Sequence, residues 1–446
     1  MPSPDARTLA AFAQRRSRLA ERVAAAGGGV IIVPTAPERR RNRDTEYAFR
    51  FDSYFHYLSG FTEPEAVLVM IVGESTQSLL FCRSKNLERE IWDGFRYGPE
   101  AACEAFGFDG AHSIDDFAQK LPELLGDKPA LWYAMGYDAH WDKRILDALN
   151  QVRGMTRLGV GAPGDIRDVR VLLDELRLIK DAVEIDTMRR AAQISGIAHR
   201  RAMRATRPGS HEYEIEAALL YEFRRHGSQS VAYNSIVAGG ANACVLHYVS
   251  NDAQLKDGDL LLIDAGCELD GYASDITRTF PVSGRFSAAQ RDVYELVLAA
   301  QAASLANAQP GNTYDTTHDA AVKVLAQGML DLGLLSGSLD EVLETASYRR
   351  FYMHRTGHWL GLDVHDAGEY KIKGAWRPLQ PGMVLTVEPG CYIRPAEDVP
   401  EAFWNIGIRI EDDVLITAEG HEILTLDTPK SITDIELLMS DVSERG

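Results

Sequence analysis

The chain has 446 residues, of which 45% are apolar and 25% charged, a composition typical of folded globular proteins and not of disordered or collagen-like chains. A length of this size predicts about two or three domains. The 47 Lys and Arg residues against 65 Asp and Glu residues give a formal charge of −18, which argues against nucleic acid or an anionic membrane surface as a partner. We expect partners that are small and neutral or cationic.

The cysteines and the hydropathy of the chain indicate its compartment. The five cysteines form no C-x-x-C pair, and their odd number leaves one unpaired in any disulfide scheme. We interpret them as reduced core thiols. The N-terminus lacks the uninterrupted apolar stretch of a secretory signal, and no later segment approaches the ~20 apolar residues of a membrane-spanning helix. The predicted location is therefore the cytoplasm.

The first part of the chain mixes short strands with helices. An amphipathic helix ends at Gly27-Gly28-Gly29, and a buried strand follows at residues 30–33. Further strands are predicted at residues 66–72 and 78–81, and a helix at 113–121. This mixture predicts a small α/β domain.

A glycine-rich stretch marks the end of this part. Residues 159–164 spell G-x-G-x-x-G, but they lack the preceding buried strand and the following helix of a dinucleotide site. We interpret the stretch as a turn between domains. The predicted domains therefore span residues 1–172 and 173–446.

The second part repeats one layout. Helices are predicted at about residues 180–226 and strands at 231–281, followed by helices at 287–333 and strands at 351–416. The repeat predicts two similar halves that face one another. No short fixed period is present, which excludes solenoids and propellers.

A predicted hairpin carries the first acidic pattern. The apolar strand at residues 260–263 ends on Asp264, and Asp270-Gly271 is a dipeptide favoured in two-residue hairpin turns. This register places Asp264 opposite Thr277, so that Asp264 and Asp275 point to one face, about 7 to 8 Å apart at the backbone. Such a pair suits metal ions. For the hairpin taken alone, a turn-capping Asp264 and a solvated Asp275 are the simpler interpretation.

The second half contains a matching pattern. An apolar strand at residues 384–387 ends on Glu388, just before Pro389-Gly390. Further on, Arg409 and Glu411 alternate with isoleucines and therefore share one face of a strand. Arg409 is expected to be an ordered cation beside the acidic cluster. Taken alone, each pattern also fits an ordinary surface strand.

Four histidines accompany the carboxylates. His354 and His358 have the spacing of a zinc-binding H-E-x-x-H helix, but Arg355 replaces the required Glu and Gly357 weakens a helix, so we exclude that motif. His365 follows shortly after them. His247 ends an apolar stretch of the first half, where a hydrogen-bonded core histidine is the alternative interpretation.

Taken together, these patterns form long motifs in a fixed order. The N-terminal part contains TEYAFRFDSYFHYLSGF and EIWDG, and the second part contains YNSIVAGGANACVLHY, LLLIDAGCELDGYASDITRTFPVSG, MHRTGHWLGLDVHDAG, VLTVEPGCYI and GIRIEDD. In this order and spacing they closely resemble the dinuclear-metal, proline-specific peptidases of the pita-bread fold, in particular the bacterial aminopeptidase P type. The resemblance covers nearly the whole chain.

The resemblance implies a fold and a metal site. The fold is an α/β N-terminal domain followed by an α+β pita-bread catalytic domain with internal pseudo-two-fold symmetry. Two divalent ions would offset about four negative charges, and a ligand set rich in oxygen with one imidazole suits Mn²⁺, with Zn²⁺ or Co²⁺ as alternatives. The implied metal ligands are Asp264, Asp275, His358, Glu388 and Glu411. The implied catalytic residues around them are His247, His354, His365, Glu388 and Arg409.

The resemblance also implies an activity. It is hydrolysis of the Xaa-Pro bond at peptide N-termini, with proline in the second position, by a hydroxide that bridges the two metal ions. His365 or His247 is expected to donate hydrogen bonds to the tetrahedral species. Glu388 is expected to handle the proton, although the sequence does not separate its role from that of Glu411.

Aromatic residues are expected to form the proline pocket and its rim. The candidates are Tyr233, Tyr392 and Trp92. In similar enzymes an N-domain tryptophan reaches a neighbouring subunit, which implies a homo-oligomer, a dimer or tetramer. The alternative interpretation of Trp92 is an ordinary core residue of the N-terminal domain.

Two other functions stay open. An Xaa-Pro dipeptidase has the same plan and ligand set but accepts only dipeptides, and the YNSIV stretch favours the aminopeptidase over it. A catalytically inactive, peptide-binding relative would lack ligand carboxylates. All five ligand positions carry the required residue type here, which argues against the inactive relative.

Overall fold

Two units make up the part of the chain that the computed structural model describes, residues 4–441. Along the chain, the first unit ends at Arg177 and the second begins at Leu178. The boundary predicted after residue 172 falls inside the last helix of the first unit, Arg170–Arg177. The glycine-rich stretch at residues 159–164 is a loop, but it precedes the last strand of the first unit.

The first unit is a mixed α/β domain, as predicted. Its elements are α1 Ala6–Ala25, β1 Gly29–Pro34, α2 Ser53–Ser59, β2 Val67–Val72, β3 Thr76–Cys82, α3 Leu87–Asp93, α4 Pro99–Phe106, β4 Gly110–Ser113, α5 Phe117–Leu125, β5 Ala130–Trp132, α6 Ala139–Gly154, β6 Asp165–Arg167 and α7 Arg170–Arg177. The predicted strands at 66–72 and 78–81 are confirmed, whereas the helix predicted at 113–121 begins only at Phe117, because a strand and a short turn precede it.

One six-stranded sheet forms the core of this unit. Its order is β4-β3-β2-β1-β5-β6, with β2 antiparallel to both β1 and β3 and the outer strands parallel to their neighbours. β1 and β2 are apolar and buried along nearly their whole length, which is typical of strands that are covered on both faces. Strand residues Val30 and Val67 are completely buried against α5 and α6 residues such as Leu121 and Ile145.

The second unit contains the predicted two rounds of helices and strands. Its first round is α8 Ala182–Ala205, α9 Glu212–Arg225, β7 Ser230–Val231, β8 Ile236–Gly239, β9 Leu260–Asp264, β10 Cys267–Leu269, β11 Tyr272–Ala273 and β12 Thr277–Pro281. Its second round is α10 Ala288–Asn307, α11 Tyr314–Asp331, α12 Leu339–Thr345, β13 Lys371–Ile372, β14 Ala375–Trp376, β15 Val384–Val387, β16 Gly390–Ile393, β17 Ile406–Arg409, β18 Asp412–Ile416, β19 His421–Ile423 and α13 Ile432–Ser440. No helix within residues 4–441 is long and apolar enough to cross a membrane.

Each round pairs two helices with antiparallel strands. The helices α8 and α9 pack against each other, as do α10 and α11. The strands form the sheets β11-β10-β7, β12-β9-β8 and β15-β18-β19 and the pairs β13-β14 and β16-β17. The largest apolar core contains residues of both helix pairs and both sets of strands, and so it holds the two halves together.

A buried arginine connects the two halves directly. Arg278 lies in β12, and its side chain is completely buried. Its guanidinium donates to Asp412 at 2.7 Å and to the carbonyl oxygens of Thr277, Glu411, Thr428 and Pro429. All of its donors therefore have partners, which is the condition under which a buried charge is tolerated.

Replacing this arginine should strongly destabilise the second unit. In Arg278→Met, Asp412 stays buried without its main partner, and we expect a loss of about 3–5 kcal/mol in the free energy of unfolding. Urea titration of the metal-free protein, followed by tryptophan fluorescence, measures this loss. Arg285→Met is the matched control, because the Arg285 side chain is 76% exposed and its ion pair to Glu436 is solvated. Equal unfolding midpoints for the two variants would contradict the expectation.

Candidate metal centre

The predicted hairpin is present and carries two carboxylates to the centre of the second unit. Leu269 pairs with Tyr272, and Asp264 pairs with Thr277, as the turn dipeptide predicts. Asp270 and Gly271 both have positive φ angles, 51° and 86°, which is the backbone of a type I′ turn. Asp264 is the last residue of β9, and Asp275 is buried just ahead of β12.

The second half brings two glutamates to the same place. Glu388 follows β15 directly, and Glu411 lies in the connection between β17 and β18. Thr277 of the first half donates a hydrogen bond of 2.6 Å from its hydroxyl to Glu411. One side chain of the first half thus contacts a carboxylate of the second half directly.

Histidine joins the carboxylates from a segment without regular structure. His358 Nε2 lies 3.4 Å from Asp275 and 3.7 Å from Glu388, while its Nδ1 contacts the carbonyl oxygen of Trp359 at 3.0 Å. This contact directs Nε2 towards the carboxylates, as in many histidine ligands of metals. Asp275, His358 and Glu411 each offer a ligand atom, and these atoms lie within 4.8 Å of one another.

The electrostatics of the cluster suit divalent cations. Burial raises the pKa of Glu388 to about 7, and burial together with repulsion from Asp275 raises the pKa of Glu411 well above its usual range. Burial lowers the pKa of His358, but its hydrogen bond to Asp275 and the charge of Glu388 outweigh burial and raise that pKa to about 9. Clustered carboxylates with one imidazole are an oxygen-rich donor set that divalent cations would neutralise, so the residues fit a metal site.

Two polar side chains hold Asp264. The Tyr233 hydroxyl donates towards Asp264 at 2.6 Å and also contacts Asp275. Arg409 donates to Asp264 from Nη2 at 2.5 Å, and from Nε to the Thr277 hydroxyl at 3.1 Å. Arg409 is therefore the ordered cation that the sequence predicts beside the acidic cluster.

A hydrogen-bonded chain runs from Arg409 to His354. Arg409 Nη1 donates to the Tyr392 hydroxyl at 3.0 Å, and this hydroxyl lies 2.8 Å from His354 Nε2. His354 Nδ1 lies 2.7 Å from the carbonyl oxygen of Arg355, so that Nδ1 carries the proton and Nε2 accepts from Tyr392. Burial and the charge of Arg409 lower the pKa of His354 to about 3, which keeps the imidazole neutral.

A cavity of about 460 Å³ opens above the cluster. Its apolar wall consists of Ile236, Leu246, Val249 and Val364. The predicted site residues that line it are Tyr233, His247, Asp264, Asp275, His354, His358, His365, Glu388, Arg409 and Glu411. The ring centroids of His358 and His365 are 4.0 Å apart, and His247 and His365 are both exposed.

Two predicted pocket residues lie elsewhere. Tyr392 is only 2% exposed and lies behind the cavity wall, where it contacts His354 and Arg409. Trp92 lies on α3 of the first unit and is 82% exposed, so the alternative interpretation as a core residue is wrong. Its place at the rim of the pocket stays a prediction.

Three residues have a supporting role that was not predicted from the sequence. Asp413 accepts a hydrogen bond of 3.1 Å from the backbone N–H of Asp275, and His199 contacts the carbonyl oxygen of Ala265, next to Asp264, at 2.9 Å. Thr277 bridges to Glu411, as described above. The signal for Asp413 was present in the run Glu411-Asp412-Asp413, since charged residues at the start of an apolar strand need buried partners.

Comparison with known proteins places this geometry in a family. Residues 186–418 match the model of metallopeptidase family M24, and residues 12–132 match the N-terminal domain of aminopeptidase P. The Xaa-Pro aminopeptidase of Haemophilus influenzae is 45% identical over 96% of this chain and 97% of its own length.

Solved structures agree with this placement. The structure of an aminopeptidase from Pseudomonas aeruginosa superposes with a TM-score of 0.95 and 47% identity, covering 99% of both chains. A zinc-substituted aminopeptidase P of Escherichia coli in complex with product superposes with a TM-score of 0.94 and 44% identity, covering 97% of this chain and 98% of its own. The chain therefore belongs to metallopeptidase family M24, with the N-terminal domain of aminopeptidase P ahead of a pita-bread catalytic domain.

Proposed function

We propose that the chain is an Xaa-Pro aminopeptidase, which hydrolyses the bond between the first residue of a peptide and a proline in second position. The observation that carries the proposal is the convergence of carboxylates from both halves and of His358 at the floor of one cavity. Membership of family M24 and near-full-length similarity to Xaa-Pro aminopeptidases support it.

We assign the metal ligands to the residues of this floor. The proposed ligands are Asp264, Asp275, His358, Glu388 and Glu411. When bound, two divalent cations supply Lewis acidity, which lowers the pKa of water and stabilises negative charge on an attacked carbonyl oxygen. Mn²⁺ is the proposed ion because the donors are mostly carboxylate oxygens, and the zinc-substituted relative supports the acceptance of Zn²⁺ as well.

The residues of the chain then hold the substrate and move the proton. His247 and His365 line the cavity and are proposed to donate hydrogen bonds to the oxygen that becomes negative as the peptide carbon turns tetrahedral. Glu388 is proposed to take the proton of the attacking water and deliver it to the proline nitrogen. The apolar wall of the cavity suits the proline ring, whose nitrogen offers no N–H to bind.

Tyr392 is proposed as a positioning residue and not as a wall of the proline pocket. It holds His354 through a hydroxyl that Arg409 also binds, and Arg409 in turn holds Asp264. The orientation of His354 at the cavity is thus coupled to the position of Asp264. A homo-oligomer with Trp92 at the rim of a neighbouring site remains part of the proposal.

The metal assignment is tested by the stability of a ligand variant. Glu411→Gln should leave the metal-free protein at least as stable as the parent, because a glutamine amide escapes the penalty that burial and the nearby carboxylates impose on an ionisable carboxyl group. Saturating Mn²⁺ should raise the thermal unfolding midpoint of the parent clearly. At a Mn²⁺ concentration of about 100 times the Kd, the free energy of unfolding should increase by about 3 kcal/mol. The variant should lose most of this rise.

Glu419→Gln is the matched control, because Glu419 is exposed and lies outside the cavity. This control should gain as much stability from Mn²⁺ as the parent. A full Mn²⁺-dependent rise in Glu411→Gln would remove Glu411 from the ligand set.

The activity is tested with two substrates on chelated protein. With added Mn²⁺ we expect release of alanine from Ala-Pro-Ala to be clearly faster than from Ala-Pro, and no release from either peptide without metal. Cleavage confined to Ala-Pro would instead support an Xaa-Pro dipeptidase. No cleavage of either peptide with Mn²⁺, Zn²⁺ or Co²⁺ would support an inactive peptide-binding relative.

The positioning role of Tyr392 predicts a change in turnover. In Tyr392→Phe, His354 loses its buried hydrogen-bond donor, and we expect kcat to fall about tenfold while KM stays nearly constant. Tyr213→Phe serves as the control, since Tyr213 is 51% exposed on α9 and should show parental kinetics. A rise in KM at unchanged kcat would show that Tyr392 contacts the substrate instead.

A further inference from the structure

Two arginines line the cavity, and they differ in their surroundings. Arg409 is 4% exposed and bound by Asp264, Thr277 and Tyr392, so that its charge is neutralised within the protein. Arg355 is exposed, and within residues 4–441 its side chain has neither a hydrogen-bond partner nor an ion-pair partner. The cavity therefore presents one guanidinium whose five N–H donors are available to a ligand.

An aromatic side chain supports this guanidinium. The guanidinium carbon of Arg355 lies 5.8 Å from the ring centroid of Trp376 in the hairpin of β13 and β14. Lys371 of the same hairpin places its ammonium 4.3 Å from that ring. Trp376 itself packs near the buried Tyr314, with 5.8 Å between ring centroids. A cation held on an ordered ring loses less conformational freedom when it binds an anion.

The charge of the cavity consequently differs between its floor and its rim. Its floor carries the acidic cluster, which the proposed cations neutralise, and its rim carries Arg355 with Lys371 behind it. The two ends of a short peptide match these two ends of the cavity. The scissile bond near the N-terminus belongs at the floor, and the C-terminal carboxylate belongs at the rim. Three residues extend over roughly 10 Å. The cavity volume of about 460 Å³ lies in the range of sites for small ligands.

We propose that Arg355 is a specificity-determining residue that binds the C-terminal carboxylate of short substrates, above all tripeptides of the form Xaa-Pro-Xaa. The inference rests on the proposed function and adds a substrate class to it. A guanidinium binds a carboxylate through two parallel N–H···O hydrogen bonds, which neither a C-terminal amide nor a continuing chain can match. The enzyme is therefore a tripeptidase by preference among peptides with proline in second position.

The experiment compares Ala-Pro-Ala with its C-terminal amide on the Mn²⁺-loaded, full-length protein. For the parent we expect kcat/KM to be about tenfold higher for the free acid than for the amide, because the amide lacks one charge-assisted hydrogen-bonded pair. In Arg355→Gln this ratio should fall to about one, through a higher KM for the acid at unchanged kcat. Arg355→Lys should retain part of the preference, because an ammonium binds a carboxylate without the bidentate geometry.

Two controls separate this role from a structural one. Arg349→Gln removes an exposed arginine of the same segment that does not line the cavity, and it should keep the parental ratio. Raising the salt concentration should reduce the ratio in the parent but not in Arg355→Gln, because the contact is solvent-exposed. Thermal unfolding of Arg355→Gln should match the parent, since no described contact other than the Trp376 ring is lost.

The outcomes also separate this inference from the proposed function. Equal cleavage of acid and amide by the parent, or a preference that persists in Arg355→Gln, would overturn the role of Arg355 and leave the aminopeptidase intact. Failure of the parent to cleave either peptide with any of the three metals would overturn both. A ratio that depends on Arg355 but not on Arg349 would establish the carboxylate site.

Discussion

The second unit is organised around buried charge. Carboxylates of both halves converge on one cavity floor, and such convergence requires fixed cations and hydrogen-bond donors from the protein itself. Arg278 provides the main support, because its completely buried guanidinium joins β12 of the first half to Asp412 and the Glu411 carbonyl of the second half. Asp275 lies just before β12, and Glu411 lies next to Asp412 in the chain. The geometry of the floor therefore depends on the contact that Arg278 makes.

A second arginine links the floor of the cavity to its wall through hydrogen bonds. Arg409 binds Asp264 on one side and Tyr392 on the other, and Tyr392 holds the neutral His354. Each member of the chain has a donor or acceptor on both sides, which makes it stiff in a low-dielectric surrounding. Stiffness of this kind keeps His354, a proposed catalytic residue, at a constant distance from the proposed metal ligands, as precise chemistry requires.

The features that followed from local rules were predicted well. The turn dipeptide Asp270-Gly271 determined the hairpin register, and the register determined that Asp264 faces Thr277, since side chains alternate along a strand. The start of α5 was misjudged, because the apolar period of residues 113–121 does not distinguish a strand end and a turn from a first helical turn. Tyr392 was predicted to line the proline pocket because aromatic side chains pack well against proline. The sequence does not show the direction of a side chain, and this one points away from the cavity towards His354 and Arg409.

By itself, the sequence determined the two rounds of helices and strands, the family motifs and the residue types available for a metal site, because periodicity, turns and motif spacing are local properties of the chain. Tertiary structure alone decided which charges meet. Arg278 reaches Asp412 across 134 positions and Arg409 reaches Asp264 across 145, and nothing local at either end identifies its partner. It also decided that Arg355 stays exposed at the cavity rim while Arg409 is neutralised at its floor, since burial depends on how the two halves close over each other.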